Sequence, residues 1–158
     1  MSLPPTILAL ASEVKGLPFI EECARQGCHL IVLMDEKLKH DAWPWDSIAE
    51  HFAMPNVRKQ PDVTHAVSYL ARDRRIERII GLDDYDVETA ADLREHMRLG
   101  GMGASAARLF RDKLAMRTQA KAAGIAVPEL TGIFNYDDLR DLRAHTPPPW
   151  VFKPRTLA

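Results

Sequence analysis

Three aspartates stand directly after two runs of the sequence that are rich in apolar residues. Asp35 follows the run HLIVLM, and Asp83 and Asp84 follow the run IERIIGL. If both runs are parallel strands, their carboxyl ends lie at one edge of a sheet, which is where open α/β sheets bind ligands. These carboxylates could therefore contact a small-molecule ligand. Helix capping and loop solubility explain any single aspartate as well, so both interpretations stay open.

The apolar pattern indicates which elements position these residues. Continuous apolar runs predict strands that are buried on both faces, and the segments between them carry apolar residues at helical spacing. The predicted strands are residues 6–11, 29–34, 56–58 and 76–82, and the predicted helices are residues 17–27, 43–52, 61–73 and 86–99. This alternation predicts a doubly wound, Rossmann-like α/β domain with a parallel sheet, in which Asp86 caps the last of these helices.

A glycine cluster at residues 100–103 divides the sequence into two parts. After the cluster, the pattern predicts helices at residues 104–110, 111–123 and 136–145 and a strand at residues 150–153, with Ile133 and Phe134 as a short apolar piece between them. This second part has too little apolar strand to close a sheet of its own. We therefore assign residues 1–101 to the Rossmann-like domain and residues 102–158 to the beginning of another domain.

The letters GMGASA at residues 101–106 fit the pattern G-x-G-x-x-A of dinucleotide-binding turns. That pattern requires a strand before it, whereas here it follows a predicted helix. The first turn between strand and helix, ASEVKG at residues 11–16, lacks the pattern. We interpret the glycine segment as an interdomain hinge, and a nucleotide-dependent dehydrogenase becomes a weak alternative.

Composition and charge exclude several classes of protein. The net charge of −1 gives no overall attraction to nucleic acid or to an anionic membrane. The six histidines are scattered, and Cys23 and Cys28 have no second cysteine pair with which to form a metal site. We expect buried, reduced thiols, with a disulfide as the alternative. The first residues lack the basic region of a signal peptide, so we expect a cytoplasmic protein.

The most informative segments lie in the second part of the sequence. FRDKLAMR at residues 110–117 leads to AGIAVP at residues 123–128, and VFKP follows at residues 151–154. In this order, and after an α/β half of this length, they resemble the start of the ATP-grasp superfamily. The resemblance is to the branch of carboxylate–amine ligases and of carbamoyl-phosphate-synthase-like or biotin-carboxylase-like enzymes. In this family a Rossmann-like pre-ATP-grasp domain precedes the ATP-grasp domain, and all 158 residues can be laid on that plan.

The resemblance implies that Lys113 and Lys153 bind ATP, with Lys153 on a strand that lines the nucleotide cleft. Two lysines on separate elements can converge on a polyphosphate and neutralise oxygens that repel one another. Mg²⁺ would bridge the phosphates in the full-length protein. The alternative interpretations are a solvated helix lysine for Lys113 and a cation at the end of a strand for Lys153.

The implied chemistry is ATP-dependent ligation, in which a carboxylate is phosphorylated to an acylphosphate and an amine or another nucleophile displaces the phosphate. The strand-end loops of the first domain would supply the acceptor pocket, with Ser12, Glu13, Asp35, Asp83 and Asp84 as the candidates. The family's glycine-rich loop and magnesium ligands follow the KP strand and lie outside these 158 residues. We therefore expect the front portion of a longer ligase, inactive by itself, and we assign no catalytic residue.

A non-enzymatic Rossmann-like module that binds a small molecule or a protein is the alternative. This alternative predicts that Trp150 and Phe152 are buried in the same core as the rest of the chain. The ligase interpretation instead leaves the strand at residues 150–153 as an unpaired edge, through which two copies of the chain could form a homodimer.

Overall fold

The computed structural model describes residues 4–132 and 135–156. The chain divides into two compact units, of which the first ends at Ala107 and the second begins at Arg108. The first unit is an α/β domain around a parallel sheet. The second unit is helical in the residues that are described, and Ile133 and Phe134 lie outside the described residues.

Four parallel strands form the sheet of the first unit. They are β1 (Thr6–Ala11), β2 (His29–Asp35), β3 (Glu50–Met54) and β4 (Arg78–Gly81). Their order across the sheet is β3–β2–β1–β4, so β1 and β2 are central. The continuous apolar sequences of these two strands are explained by this position, because a central strand of a parallel sheet is covered on both faces.

Helices cover both faces of the sheet, which confirms the predicted doubly wound arrangement. They are α1 (Leu17–Arg25), α2 (Asp62–Leu70) and α3 (Val87–His96). Because successive side chains of a strand point to opposite faces, Leu8 and Leu10 pack with α2 and α3, whereas Ile7 and Ala9 pack with α1. Each of the two cores is therefore made of one alternate set of residues from the same strands.

The two cysteines belong to the α1 side of the sheet. Both are free thiols; Cys23 is buried and Cys28 is half-buried. Burial raises the pKa of the Cys23 thiol, and the neighbouring Cys28 adds to this rise. A thiol with a raised pKa is less often ionised at neutral pH, so Cys23 behaves as a small apolar core residue.

The third strand differs from the prediction. The sequence predicts a helix over residues 43–52 and a strand over residues 56–58, whereas the structure has a short 3₁₀ turn at Trp45–Ser47 and the strand β3 at Glu50–Met54. β3 is an edge strand in which half-buried residues alternate with exposed ones, and its apolar run is limited to the three residues FAM. Val57 is buried, but it lies in the loop that follows β3.

Three helices account for most of the rest of the described chain. They are α4 (Ala104–Arg111), α5 (Lys113–Ala122) and α6 (Tyr136–His145), close to their predicted bounds. α6 begins with a capping box, in which Asn135 accepts main-chain N–H bonds from Asp137 and Asp138 while Asp138 accepts the N–H of Asn135.

The strand predicted at residues 150–153 is wrong. No described residue pairs with this segment in a ladder, and Pro149 and Pro154 at its ends have no N–H to donate.

Candidate functional sites

The loops at the carboxyl edge of the sheet are joined to one another by polar contacts. Between the loops after β1 and β2, Lys37 Nζ lies 2.8 Å from Glu13 Oε1. Between the loops after β2 and β3, the N–H of Val57 donates to Asp35 Oδ1 over 2.6 Å, and Asp35 is buried. Asp35 therefore holds the β3 loop in place, and the exposed Glu13–Lys37 pair lies at the surface of the same edge.

The loops after β1 and β4 meet where the strand order changes direction. Lys15 Nζ lies 3.6 Å from Asp83 Oδ2, while Asp83 Oδ1 accepts the N–H of Tyr85 over 2.9 Å. Asp84 is exposed in the same turn. The chain leaves β1 towards β2 on one side and reaches β4 on the other, and such a switch point is the usual ligand crevice of an open α/β sheet.

Asp86 is a residue of this edge whose role differs from the predicted one. It precedes α3, yet its side chain makes no capping bond to that helix. Instead Asp86 Oδ2 accepts the main-chain N–H of Ser12 over 3.1 Å, and both residues are buried. Within the described chain, neither Asp86 Oδ1 nor Ser12 Oγ has a hydrogen-bond partner. Because the two residues are far apart in sequence, local spacing could not reveal their contact.

Burial also changes the acid–base behaviour of Asp86. It raises the pKa of the Asp86 carboxyl above the ordinary value, although the hydrogen bond from the Ser12 main-chain N–H opposes the rise. A carboxyl group that holds its proton more tightly in the folded chain favours folding at low pH and opposes it at higher pH.

We expect Asp86→Asn to reveal this pH dependence. The stability contributed by Asp86 is complete below the ordinary aspartate pKa of about 4 and is lost as the pH rises through the higher folded pKa. Asparagine keeps an oxygen for the Ser12 N–H but has no proton to lose. The stability of the native chain relative to Asp86→Asn should therefore fall as the pH rises above about 4 in urea unfolding experiments.

Asp86→Ala provides the control for this experiment. It removes the acceptor of the Ser12 N–H as well as the charge, so it should be less stable than Asp86→Asn by about 1 kcal/mol. If the difference between the native chain and Asp86→Asn is constant or grows with pH, the inferred protonation of Asp86 is wrong.

A groove of about 950 Å³ lies within the second unit. Its walls include both lysines of the predicted nucleotide site, Lys113 and Lys153. Apolar side chains make much of the remaining surface: Leu114, Pro128, Leu130, Leu139, Leu142, Trp150, Val151 and Phe152. An apolar surface of this size next to two ammonium groups suits a ligand with a flat organic part and an anionic part.

The charges that line this groove are mostly positive. Besides Lys113 and Lys153, the groove is lined by Arg117, Arg143 and Arg155. Glu129 is the acidic residue among the lining side chains of the described chain. Multiple cations around one concave surface attract phosphate oxygens, and arginine adds paired N–H groups that match phosphate geometry. The residues present therefore fit the polyphosphate of a nucleotide.

The two lysine-bearing segments are held together at the start of α5. Asp112 is the N-cap residue of α5 and accepts the N–H groups of Leu114 and Ala115 over 2.9 and 3.2 Å. Both oxygens of the same carboxylate also accept hydrogen bonds from the Arg155 guanidinium. In addition, the main-chain N–H of Lys113 donates to the Arg155 carbonyl over 2.8 Å. The Arg155 guanidinium lowers the pKa of Asp112. The segment that carries Lys153 is thereby attached beside Lys113.

The described chain provides no metal centre and no membrane span. Among residues 4–132 and 135–156, no three or more His, Cys, Asp and Glu side chains come close enough to hold a metal ion. No helix in these ranges is both long and apolar enough to cross a membrane.

The glycine segment is attached to α3. Arg94 donates to the carbonyl of Met102 through Nε at 2.9 Å and through Nη2 at 2.6 Å, and the Ala104 N–H donates to Glu95 over 2.8 Å. The segment lies between α3 and α4, so the strand that a dinucleotide-binding turn needs is absent, as predicted. Its role as an interdomain hinge stays a prediction.

Comparison by sequence finds no family model and no curated protein that matches the chain. Solved structures do match. An L-amino acid ligase from Bacillus licheniformis matches with a TM-score of 0.72 at 17% identity, over 96% of this chain and 35% of that chain. The biotin carboxylase domain of 2-oxoglutarate carboxylase from Hydrogenobacter thermophilus, a dimer in complex with MgADP, ADP and bicarbonate, matches with a TM-score of 0.64 at 19% identity. That match covers 90% of this chain and 33% of that chain.

These matches establish the fold. The chain has the α/β fold with a parallel sheet found in the corresponding part of both enzymes, and it spans about a third of the length of each.

The sequence-predicted residues fall into two groups. Ser12, Glu13, Asp35, Asp83 and Asp84 lie at one edge of the sheet, and Lys113 and Lys153 lie in one groove of the second unit. Sequence patterns do not reveal the contact of Asp86 with Ser12, nor that of Arg58 with Tyr85 at the same edge.

Proposed function

We propose that the chain corresponds to the front portion of an ATP-dependent carboxylate–amine ligase, or of a related enzyme that acts through an acylphosphate. The observation that carries this proposal is that Lys113 and Lys153, which come from separate parts of the sequence, line one cationic groove. The neighbours support it, because an L-amino acid ligase and a biotin carboxylase domain represent the enzyme classes named by the sequence resemblance. The MgADP bound to the second neighbour supports a nucleotide as the ligand.

In this proposal the second unit binds and orients the phosphates of ATP. A carboxylate oxygen of the acceptor attacks the γ-phosphorus, and ADP leaves with the electrons of the broken bond. The amine nitrogen then attacks the acyl carbon and expels phosphate, which leaves an amide. The ammonium groups of Lys113 and Lys153 neutralise phosphate oxygens and hold them in place for this transfer.

We also propose the domain division that the sequence indicates. Residues 1–101 would be the pre-ATP-grasp domain, and residues 102–158 would be the beginning of the ATP-grasp domain. The strand-end residues Ser12, Glu13, Asp35, Asp83 and Asp84 would belong to the side of the first domain that faces the acceptor. Within this group the structure gives Asp35 and Asp83 hydrogen bonds to main-chain N–H groups, so we propose that they shape the loops.

The exposure of two aromatic residues favours the ligase proposal over a self-contained binding module. That alternative requires Trp150 and Phe152 to be buried in a common core. Trp150 is 38% exposed and Phe152 is 67% exposed, and both line the groove. Apolar side chains that face a cationic groove are better explained as part of a ligand site.

Two measurements on the purified chain test this proposal. Isothermal titration calorimetry should show that ATP binds more tightly than adenosine, because adenosine has no phosphates to contact the cations of the groove. A coupled assay for ADP should show no turnover when carboxylates and amines are added to the chain with Mg-ATP. Equal binding of ATP and adenosine would contradict the phosphate site, and release of ADP would contradict the inactivity of the chain.

A further inference from the structure

Arg58 is a cationic residue at the carboxyl edge of the sheet, and it is oriented by an aromatic ring. It is not one of the predicted site residues. Arg58 is exposed in the loop after β3, and its Cζ atom lies 5.4 Å from the centroid of the half-buried Tyr85 ring, which belongs to the turn after β4. β3 and β4 are the two outer strands, so this contact spans the carboxyl ends of β2 and β1. Arg58 therefore lies over the crevice in which a doubly wound sheet binds its ligand.

Arg58 differs from the other cations of this edge in its partners. Lys15 is paired with Asp83, and Lys37 is paired with Glu13. Of the carboxylates in the described chain, none forms an ion pair with the Arg58 guanidinium, whose contact is with the Tyr85 ring, while the main-chain N–H of Arg58 donates to Asn56. Stacking on an aromatic ring fixes the plane of a guanidinium and leaves the N–H groups at the edge of that plane available for hydrogen bonds.

A second cation lies within electrostatic range of Arg58. The pKa of Lys37 is raised chiefly by its hydrogen bond to Glu13, and the charge of Arg58 opposes this rise. The two side chains therefore repel each other. An anion bound at Arg58 would reduce this repulsion, whereas a cation would increase it.

We propose that Arg58, oriented by Tyr85, binds the carboxylate of a small carboxylic acid at the carboxyl edge of the sheet. The planar guanidinium presents two parallel N–H groups to two carboxylate oxygens, which gives the site a preference for carboxylates over neutral groups of the same size. The identification of this acid as the acceptor substrate of the ligase rests on the proposed function. The binding of the carboxylate itself rests on the geometry of Arg58 and Tyr85.

Succinate is the probe that tests this site, and succinamide is its neutral counterpart. Titration of the ¹⁵N-labelled chain, followed by two-dimensional NMR, should show succinate-dependent shifts of the amide signals of Val57 and Tyr85. Succinamide should give no such shifts. Arg58→Gln should weaken succinate binding by about tenfold or more, because it removes a charge-assisted pair of hydrogen bonds.

Arg75→Gln is the matched control, because it removes the same charge from an exposed arginine of the same unit that precedes β4. It should leave succinate binding within about twofold of the native chain, since the charge that it removes is exposed to solvent and screened by salt. The proposal is overturned if succinate fails to bind the native chain at tens of millimolar. It is also overturned if Arg58→Gln binds succinate as well as Arg75→Gln does.

The same titrations distinguish this proposal from the proposed function. Succinate is added without nucleotide, and the shifts of the Val57 and Tyr85 amide signals report on its binding at Arg58. ATP is added to separate samples without succinate, so its binding reports on the groove of the second unit. Loss of one response with retention of the other identifies which of the two proposals is wrong.

Discussion

Replacing Lys113 or Lys153 by methionine should weaken ATP binding by about tenfold to 100-fold for each substitution. Both lysines line the groove, and each substitution would remove charge-assisted hydrogen bonds to phosphate oxygens. Methionine keeps most of the length and apolar character of the lysine stem, so packing against the groove changes little. Calorimetric titration with ATP measures the change for each variant and for the double variant.

The matched control for these variants is Lys121→Met. Lys121 is on the same helix as Lys113, but it pairs with Glu129 and does not line the groove. Its replacement removes the partner of Glu129, which lines the groove, and should still weaken ATP binding several-fold less than replacement of Lys113 or Lys153. Because the two groove lysines would contact one polyphosphate, the effects in the double variant should not be additive. If all three single variants bind ATP equally well, the groove is not the nucleotide site.

Gly81→Ala should destabilise the first unit by about 1–3 kcal/mol. A Cβ atom at the end of β4 would lie 2.8 Å from the main-chain carbon of Asp86 and 2.8 Å from its Cβ atom. Neither atom is the free end of a flexible side chain, so the turn that carries Asp86 has to move. That movement also disturbs the bond between Asp86 and the Ser12 N–H at the switch point.

Urea unfolding of Gly81→Ala and Gly100→Ala measures this effect. Gly100 is the control, since an added Cβ atom meets nothing within 4 Å there. Gly100→Ala should unfold at nearly the same urea concentration as the native chain. A Gly81→Ala variant that is as stable as Gly100→Ala would show that the turn after β4 tolerates a methyl group, and that Gly81 does not fix its position.

The central part of the fold can be predicted because its signal is local. β1 and β2 are apolar at almost every position, which is the direct consequence of burial on both faces. β3 is harder to predict because an edge strand needs only half of its residues to be buried, and the apolar run in EHFAM is only three residues long. The same limit applies to residues 150–153, where an apolar sequence predicts a strand although the described chain provides no partner strand.

The candidate sites show a similar division. The Asp-Lys and Lys-Pro segments are local patterns, so the sequence alone is sufficient to identify Lys113 and Lys153 as candidates. The contacts of Asp86 and Arg58 join loops that follow different strands, so only the three-dimensional arrangement reveals them. The attachment of Arg155 to Asp112 is of the same kind, because it joins segments that are far apart in sequence.

The measurement that tests the central claim most directly is lysine labelling with an acyl phosphate derivative of ATP. This reagent transfers its acyl group to lysines next to the bound phosphates, and mass spectrometry of the digested chain identifies them. Labelling should occur at Lys113 and Lys153 and should be blocked by excess ATP. The other lysines serve as internal controls: Lys15, Lys37, Lys39, Lys59 and Lys121. Labelling that spreads over all lysines and is unaffected by ATP would contradict a nucleotide site in this groove.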